Sequence, residues 1–207
     1  MKLFITAIDT NIGKTIVSSV LCKGLGYAYW KPIQCGDLED SDSKKVKELS
    51  PETIIYPEKF RLLAPMSPHE AARKEDVDIS LKNFSLPQKD KLVIEGAGGA
   101  MVPINYKGDM MADIMKKLNA KVVVVFKNYL GSINHTILTI QHLKSLGLCV
   151  IGTIVIGDKV SSSENIIEKV TGVTNLGNLP FEENINFDWV NLHAQQLANK
   201  MQSIWRL

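Results

Sequence analysis

The stretch TAIDTNIGKTIV, residues 6–17, decides the fold, because it carries an apolar run into a helical one through Gly13-Lys14-Thr15. Before it, LFITAI (3–8) is short, β-rich and apolar on both faces, as a strand of a covered parallel sheet is. After it, from Lys14 to Gly24, apolar residues recur at helical spacing. A strand that turns into a helix at Gly-Lys-Thr has the parts of a phosphate-binding loop. Gly13 lets the backbone approach phosphate oxygens, Lys14 reaches toward the β and γ phosphates, and the Thr15 hydroxyl suits Mg2+. The helix N-terminus adds amide donors and a positive end, so the nucleotide-contacting stretch is expected to span Asn11, Ile12, Gly13, Lys14, Thr15 and Ile16. The usual spacing G-x-x-x-x-G-K-[ST] asks for a glycine at position 8, where this chain has Ile8. The first turn of the loop is therefore expected to take a different shape while keeping its amide cradle. The plainer alternative is an ordinary strand-turn-helix with a chance Gly-Lys-Thr, and placement after a strand and before a helix favours phosphate.

Outward from this stretch, β-rich runs recur at YAYW (27–30), LVIE (92–95), KVVVVF (121–126), LCVIGTIVI (148–156) and GVTNLGNL (172–179). Segments of helical period lie at 109–118, 134–146, 163–170 and 188–205. This alternation predicts an α/β fold, a doubly wound, mostly parallel sheet in a single domain over residues 1–207. Residues 36–90 hold many charges, five prolines and only short helical candidates such as SPHEAARKE. They read as an elaborated crossover, not a second domain.

At 207 residues, 45% hydrophobic and 22% charged, the chain suffices for one sizeable core. A net charge of +2 without a Lys/Arg run argues against a nucleic-acid partner and leaves small-molecule chemistry. Three cysteines, Cys22, Cys35 and Cys149, lack the spacing of a metal site or redox pair, which points to a reducing, cytoplasmic setting. His69, His135, His142 and His193 form no H-x-x-x-H or Cys/His grouping, so zinc is not expected. The sequence shows no signal-peptide core and no apolar stretch of bilayer length, which predicts a soluble protein without a membrane partner. Near the C-terminus a stripe through Val190, Leu197, Met201 and Ile204 reads as core packing, because Lys200 and Arg206 are too few for a basic membrane helix.

In an open α/β sheet, ligands bind outside the carboxyl ends of the strands, so the residue after each apolar run is informative. After YAYW comes Lys31-Pro32. A lysine there can hold an anionic substrate group over the loop crevice or snorkel at a strand end, and the residues alone do not separate the two. After LVI comes Glu95, then Gly96-Ala97-Gly98-Gly99. An acid closing an apolar strand suits Mg2+ beside a triphosphate, because hard Mg2+ takes carboxylate oxygens and retains waters. The alternative, a capping or turn acid, lacks an obvious helix to cap. Asp42, in EDSDSKKV, can be a second metal carboxylate, but its neighbours read first as an N-cap before a short polar helix.

Five stretches in this order, DTNIGKT (9–15), KPIQCG (31–36), SPHEAA (67–72), EGAGG (95–99) and LGSINHTILT (130–139), resemble the dethiobiotin synthetases, a family of ATP-dependent ligases. The resemblance covers most of the chain and implies a P-loop NTPase-like fold. It implies that 7,8-diaminopelargonate takes up CO2 as a carbamate, is phosphorylated by ATP, and closes to a cyclic urea. In that light Lys14, Lys31 and Thr10 would be catalytic, with Lys31 holding the carbamate and Thr10 touching substrate. Thr15, Asp42 and Glu95 would arrange Mg2+, which overrides the N-cap reading of Asp42, and Gly96, Ala97 and Gly98 would line the nucleotide. The resemblance also implies a homodimer in which Gly131, Ser132 and Asn134 bind the other subunit's substrate carboxylate.

The chain departs from the family pattern at three places. Ala7 stands where glycine is usual, although the family itself does not keep a glycine at position 8. Cys35 replaces a hydroxyl residue, so its hydrogen bond to substrate is expected to be weaker, thiol being a poor donor. Gly157 stands where an asparagine reads adenine, which predicts loose base selection and leaves Pro180 and Phe181 a packing role beside the nucleotide. The runner-up function is a positioning or partitioning ATPase of the deviant Walker-A class, which has an extra lysine where this chain has Asp9. A fold-related amide-forming synthetase needs a glutaminase partner, for which 207 residues leave no room.

Overall fold

The computed structural model describes residues 1–205, and Arg206 lies outside the described residues. In chain order the elements are β1 (Lys2–Ala7), α1 (Lys14–Leu25), β2 (Ala28–Trp30), β3 (Ile33–Cys35), α2 (Asp42–Leu49), β4 (Ile55–Tyr56), β5 (Phe60–Leu62) and α3 (Pro68–Lys74). They continue as β6 (Leu92–Gly99), α4 (Met111–Lys117), β7 (Lys121–Lys127), α5 (Ser132–Ser145), β8 (Val150–Ile156), α6 (Ser161–Thr171), β9 (Asn175–Leu179) and α7 (Phe187–Trp205). Seven strands form one parallel sheet in the order β4-β2-β6-β1-β7-β8-β9. The α/β reading of the sequence is the observed architecture.

Strand alternation divides the core between two faces. Leu3, Ile5 and Ala7 of β1, with Val123 and Val125 of β7, meet Val17, Val20 and Leu21 of α1, Val46 of α2, and Val190, Ala194, Leu197 and Met201 of α7. Phe4 and the intervening Val122, Val124 and Phe126 meet Met111, Ile114 and Met115 of α4, Ile140 and Leu143 of α5, and Ile167 of α6. Both faces of the central strands are thus covered, which is why those strands read as continuous apolar runs. Ile204, assigned to the same stripe as Met201, instead is 38% exposed.

Several boundaries differ from expectation. The last two sheet strands begin at Val150 and Asn175, two or three residues later than the apolar runs did, because those runs include the turn that feeds each strand. β6 continues through Gly99, past the Glu95 at which the apolar run closes; Gly98 takes a left-handed φ of 67° and Gly99 pairs with Ala7. Residues 36–90 hold α2, α3, the edge strand β4, and β5, which pairs in parallel with β3 as a separate two-stranded sheet. Three-residue strands offer no periodicity to detect.

α1 and α7 cross at Gly24, where a Cβ would stand 2.5 Å from the Ala194 carbonyl oxygen. In an open helix Gly→Ala is worth up to about 1 kcal/mol of stabilisation. Here we expect Gly24→Ala to destabilise by about 1–3 kcal/mol through overpacking, read as a lowered thermal midpoint. A raised midpoint would show that α7 yields at this crossing.

Candidate active site

The loop after β1 turns into α1 without a glycine at position 8. Ile8 still donates its N–H to the Val125 carbonyl at 3.2 Å and has no left-handed φ, so the strand simply runs one residue further. The left-handed turns fall at Asn11 (φ 56°) and Gly13 (φ 103°). Gly13 caps α1 directly under Ile156, whose Cγ1 would lie 3.1 Å from any added Cβ. Lys14 is buried and its Nζ donates to the Asp9 carbonyl at 3.2 Å, curling the loop around its own lysine. Burial lowers the pKa of Lys14, which Glu95 partly offsets.

Across the crevice lies a charged cluster assembled from four segments. β2 pairs with β6 so that Trp30 lies beside Ile94, and the next residues on each, Lys31 and Glu95, emerge together at the carboxyl end of the sheet. Lys31 Nζ donates to Glu95 Oε1 at 3.2 Å and forms an ion pair with Asp42. Thr15, in the first turn of α1, donates its hydroxyl to Asp42 Oδ1 at 2.8 Å and Glu95 Oε1 at 3.0 Å. Asp42 is the first residue of α2 and Ser41 its N-cap, so the N-cap expectation for Asp42 is corrected: its side chain turns away from the helix to Thr15 and Lys31.

Burial works against the Lys31 ammonium, yet Glu95 and Asp42 outweigh it and hold its pKa above the ordinary lysine value. Burial likewise opposes the Asp42 carboxylate, and the adjacent Lys31 ammonium overcomes this and keeps its pKa below the usual range. Lys31 therefore is not snorkelling; with 6% of its side chain exposed, it points inward.

These groups line a cleft of about 710 Å³. Its walls include Thr10, Asn11, Gly13, Lys14, Thr15, Ile16, Lys31, Cys35, Asp42, Glu95, Ala97 and Gly98, all expected from sequence. Ile12 is buried in the core beneath the loop, and Gly96 packs against Phe4 inside the sheet. Cys35 keeps its proton, because burial pushes the thiol up to about 11. Thr15, Asp42 and Glu95 present only oxygen atoms, the donor set a hard divalent cation takes. Among the described residues no group of three or more His, Cys, Asp or Glu is placed to hold a metal. Two carboxylates and a hydroxyl match Mg2+, which retains waters and shares phosphate oxygens.

Besides Ile12 and Gly96, six expected residues do not line this cleft. Gly131, Ser132 and Asn134 sit at the head of α5, where Ser132 Oγ accepts from the Tyr129 amide at 3.2 Å. Gly157 follows β8 and its carbonyl accepts from Asn178 Nδ2 at 3.0 Å. Pro180 and Phe181 follow β9, and Phe181 is 70% exposed. Two residues went unnoticed in the sequence. Gln34 accepts from the Asp42 amide at 3.4 Å and donates to the Gly36 carbonyl at 2.9 Å, tying the loop after β3 to α2. Tyr29, fully buried, donates its hydroxyl to Glu95 Oε2 at 3.0 Å. A tyrosine in an apolar strand gives no sign of its hydroxyl's partner, which comes from β6.

Comparison with known proteins agrees with this geometry. A family model described as an AAA domain matches residues 1–188. The chain is 46% identical over 204 residues to an ATP-dependent dethiobiotin synthetase BioD of Christiangramia forsetii, covering 97% of this chain and 98% of that protein. It is 44% identical to its namesake from Cytophaga hutchinsonii, covering 95% and 96% of the two chains. Among solved structures, a plasmid partition protein from Borrelia burgdorferi superposes with a TM-score of 0.60 at 12% identity, covering 98% of both chains. A ParA family ATPase from Chlorobium tepidum gives 0.53 at 13% identity over 99% of this chain and 93% of that one. At such identities these two share the P-loop NTPase-like fold and nothing more. With near full-length identity to the synthetases and the lysine-carboxylate cluster facing a phosphate-binding loop, this chain belongs to the dethiobiotin synthetase family.

Proposed function

We propose that this protein converts 7,8-diaminopelargonate, CO2 and ATP to dethiobiotin, ADP and phosphate. The observation that carries the proposal is Lys31, a charged lysine held inward beside Glu95 and Asp42 in the cleft that the phosphate-binding loop borders. One amine of the substrate adds to CO2 and loses a proton, giving a carbamate. Its oxygen attacks the γ-phosphorus, the bond to the β-γ bridging oxygen breaks, and ADP leaves. The second amine then attacks the carbamoyl carbon, phosphate departs, and a cyclic urea remains. Such phosphoryl transfer asks for positioning and charge neutralisation more than for covalent help.

Lys31 would bind the carbamate and offset the charge that develops as its oxygen attacks. Lys14 and the α1 amides would hold the phosphates, and Thr10 would orient substrate at the cleft wall. Thr15, Asp42 and Glu95 would hold Mg2+, which when bound supplies positive charge to the phosphate oxygens. Ala97 and Gly98 would border the nucleotide at the cleft wall, with Gly96 behind them in the sheet. Gly157, Pro180 and Phe181 would border the base, with Gly157 offering no side chain to read it. We further propose a homodimer in which Gly131, Ser132 and Asn134 of one protomer complete the other's cleft. Support comes from the exposed apolar Leu130, Ile133 and Leu138 around them. A cytoplasmic setting and the lack of nucleic-acid or membrane partners belong to the same proposal. Among the described residues no helix is long and apolar enough to cross a membrane. The positioning ATPases share the fold, but their extra lysine is replaced by Asp9, whose carboxylate accepts from the Thr10 amide at 2.7 Å.

Purified protein with ATP, Mg2+ and bicarbonate is expected to release phosphate only when the diamine is added, with a product of the cyclic urea's mass. Lys31→Gln should lose that turnover while still binding nucleotide. Phosphate release indifferent to the diamine would instead move the positioning ATPase to first place. ATP, GTP and CTP are expected to support turnover within about tenfold of one another, roughly 1.4 kcal/mol in activation terms. A strong ATP preference would mean that a group other than residue 157 reads adenine. Cys35→Ser should lower the KM for the diamine by about fivefold, the worth of one ordinary hydrogen bond of roughly 1 kcal/mol. An unchanged KM would place the thiol outside the substrate's reach.

A further inference from the structure

Glu95 is 1% exposed, and its two oxygens do different things. Oε1 turns to the cleft and accepts from Thr15 and Lys31. Oε2 turns into the core and accepts from the Tyr29 hydroxyl at 3.0 Å. Tyr29 lies beside Val93 in the β2-β6 pairing, so it shares a sheet face with Glu95, two residues on. To make this bond its ring runs along the strand toward the carboxyl end of the sheet. The ring belongs to the buried cluster that also holds Leu3, Ile5, Val17 and Val46, and the hydroxyl bonds the carboxylate.

We propose that Tyr29 is a positioning residue for the metal-holding carboxylate. By donating to Oε2 it fixes the plane of Glu95, so that Oε1 alone faces Thr15, Asp42 and the cation of the nucleotide. The inference rests on the magnesium role given above to Thr15, Asp42 and Glu95. The terminal torsion of a glutamate is broad and two-fold, so a carboxylate held at one oxygen can exchange its oxygens by rotation. A donor on the far oxygen removes that freedom. Without it, Oε2 is a buried acceptor lacking a partner. The repair open to it is a rotation that carries Oε2 toward Lys31 and takes Oε1 off Thr15. Outer hydrogen bonds of this kind commonly change metal affinity by about 10–100-fold when removed. Tyr29→Phe isolates the effect, because the ring that fills the core is kept.

The test uses Mn2+ as the probe, with binding to the whole protein and ADP followed by electron paramagnetic resonance. Tyr29→Phe is expected to weaken Mn2+ binding about 10–100-fold while leaving metal-free ADP affinity unchanged. In a Glu95→Gln background the same change should move Mn2+ affinity by less than about twofold, since the group through which it acts is altered. Wild-type Mn2+ affinity in Tyr29→Phe, or an equal loss in both backgrounds, would overturn the proposal. Infrared spectra of the wild-type protein give a measurement that needs no variant. The carboxylate bands that change on adding Mn2+ and ADP should have the wide splitting of one-oxygen coordination, and two-oxygen coordination by Glu95 would overturn the proposal. If Glu95→Gln binds Mn2+ and ADP as wild type does, Glu95 leaves the metal site and the Tyr29 inference goes with it. The ligase proposal is judged separately, by the cyclic-urea product.

Discussion

An ammonium group enclosed between two carboxylates organises the carboxyl end of this sheet. Alone, Lys31 would shed its proton in so buried a place. Glu95 and Asp42 together keep it an ammonium, and that ammonium in turn holds the Asp42 carboxyl below its usual range. Leaving one such buried charge without its partner costs about 3–5 kcal/mol, comparable to a large part of a domain's stability. The exit of β2, the end of β6 and the start of α2 are therefore tied to one another, and Thr15 joins α1 to the same knot.

The sheet topology determines where that knot lies. β1 occupies the middle of the sheet between β6 and β7, and the helices around it lie on opposite faces. α1 turns to one face, while α4 and α5 cover the other, which opens a crevice above the end of β1. The phosphate-binding loop fills one side of that crevice. Segment 36–90, which wraps α2 and β5 around the other side, supplies Asp42 and the outer wall. The charged cluster thus sits where the topology already requires a ligand.

Much of this was legible because local chemistry and global topology agree. Gly13-Lys14-Thr15 after an apolar strand, and Glu95 closing another, carry their placement in their neighbours. Asp42 did not, because a first-turn aspartate can face its own helix or a distant strand, and only the approach of α2 to α1 decides. Tyr29 was silent for the same reason, its partner Glu95 being far away in sequence, and Gln34 because the loop between it and Asp42 has no periodicity that would bring the two together. The head of α5 was found by resemblance, and within one chain it stands clear of the cleft.

The crossing of α1 and α7 at Gly24 bears on how the chain reaches this state. Leu3 and Ile5, made first, share their cover with Val190 and Leu197, made near the end of the described chain. Closing so long a loop is entropically slow, and it follows most of the sheet's own pairing in order of synthesis. One face of β1 and α1 is therefore fully covered only once α7 packs, and the phosphate-binding loop hung between them depends on that last helix for its frame.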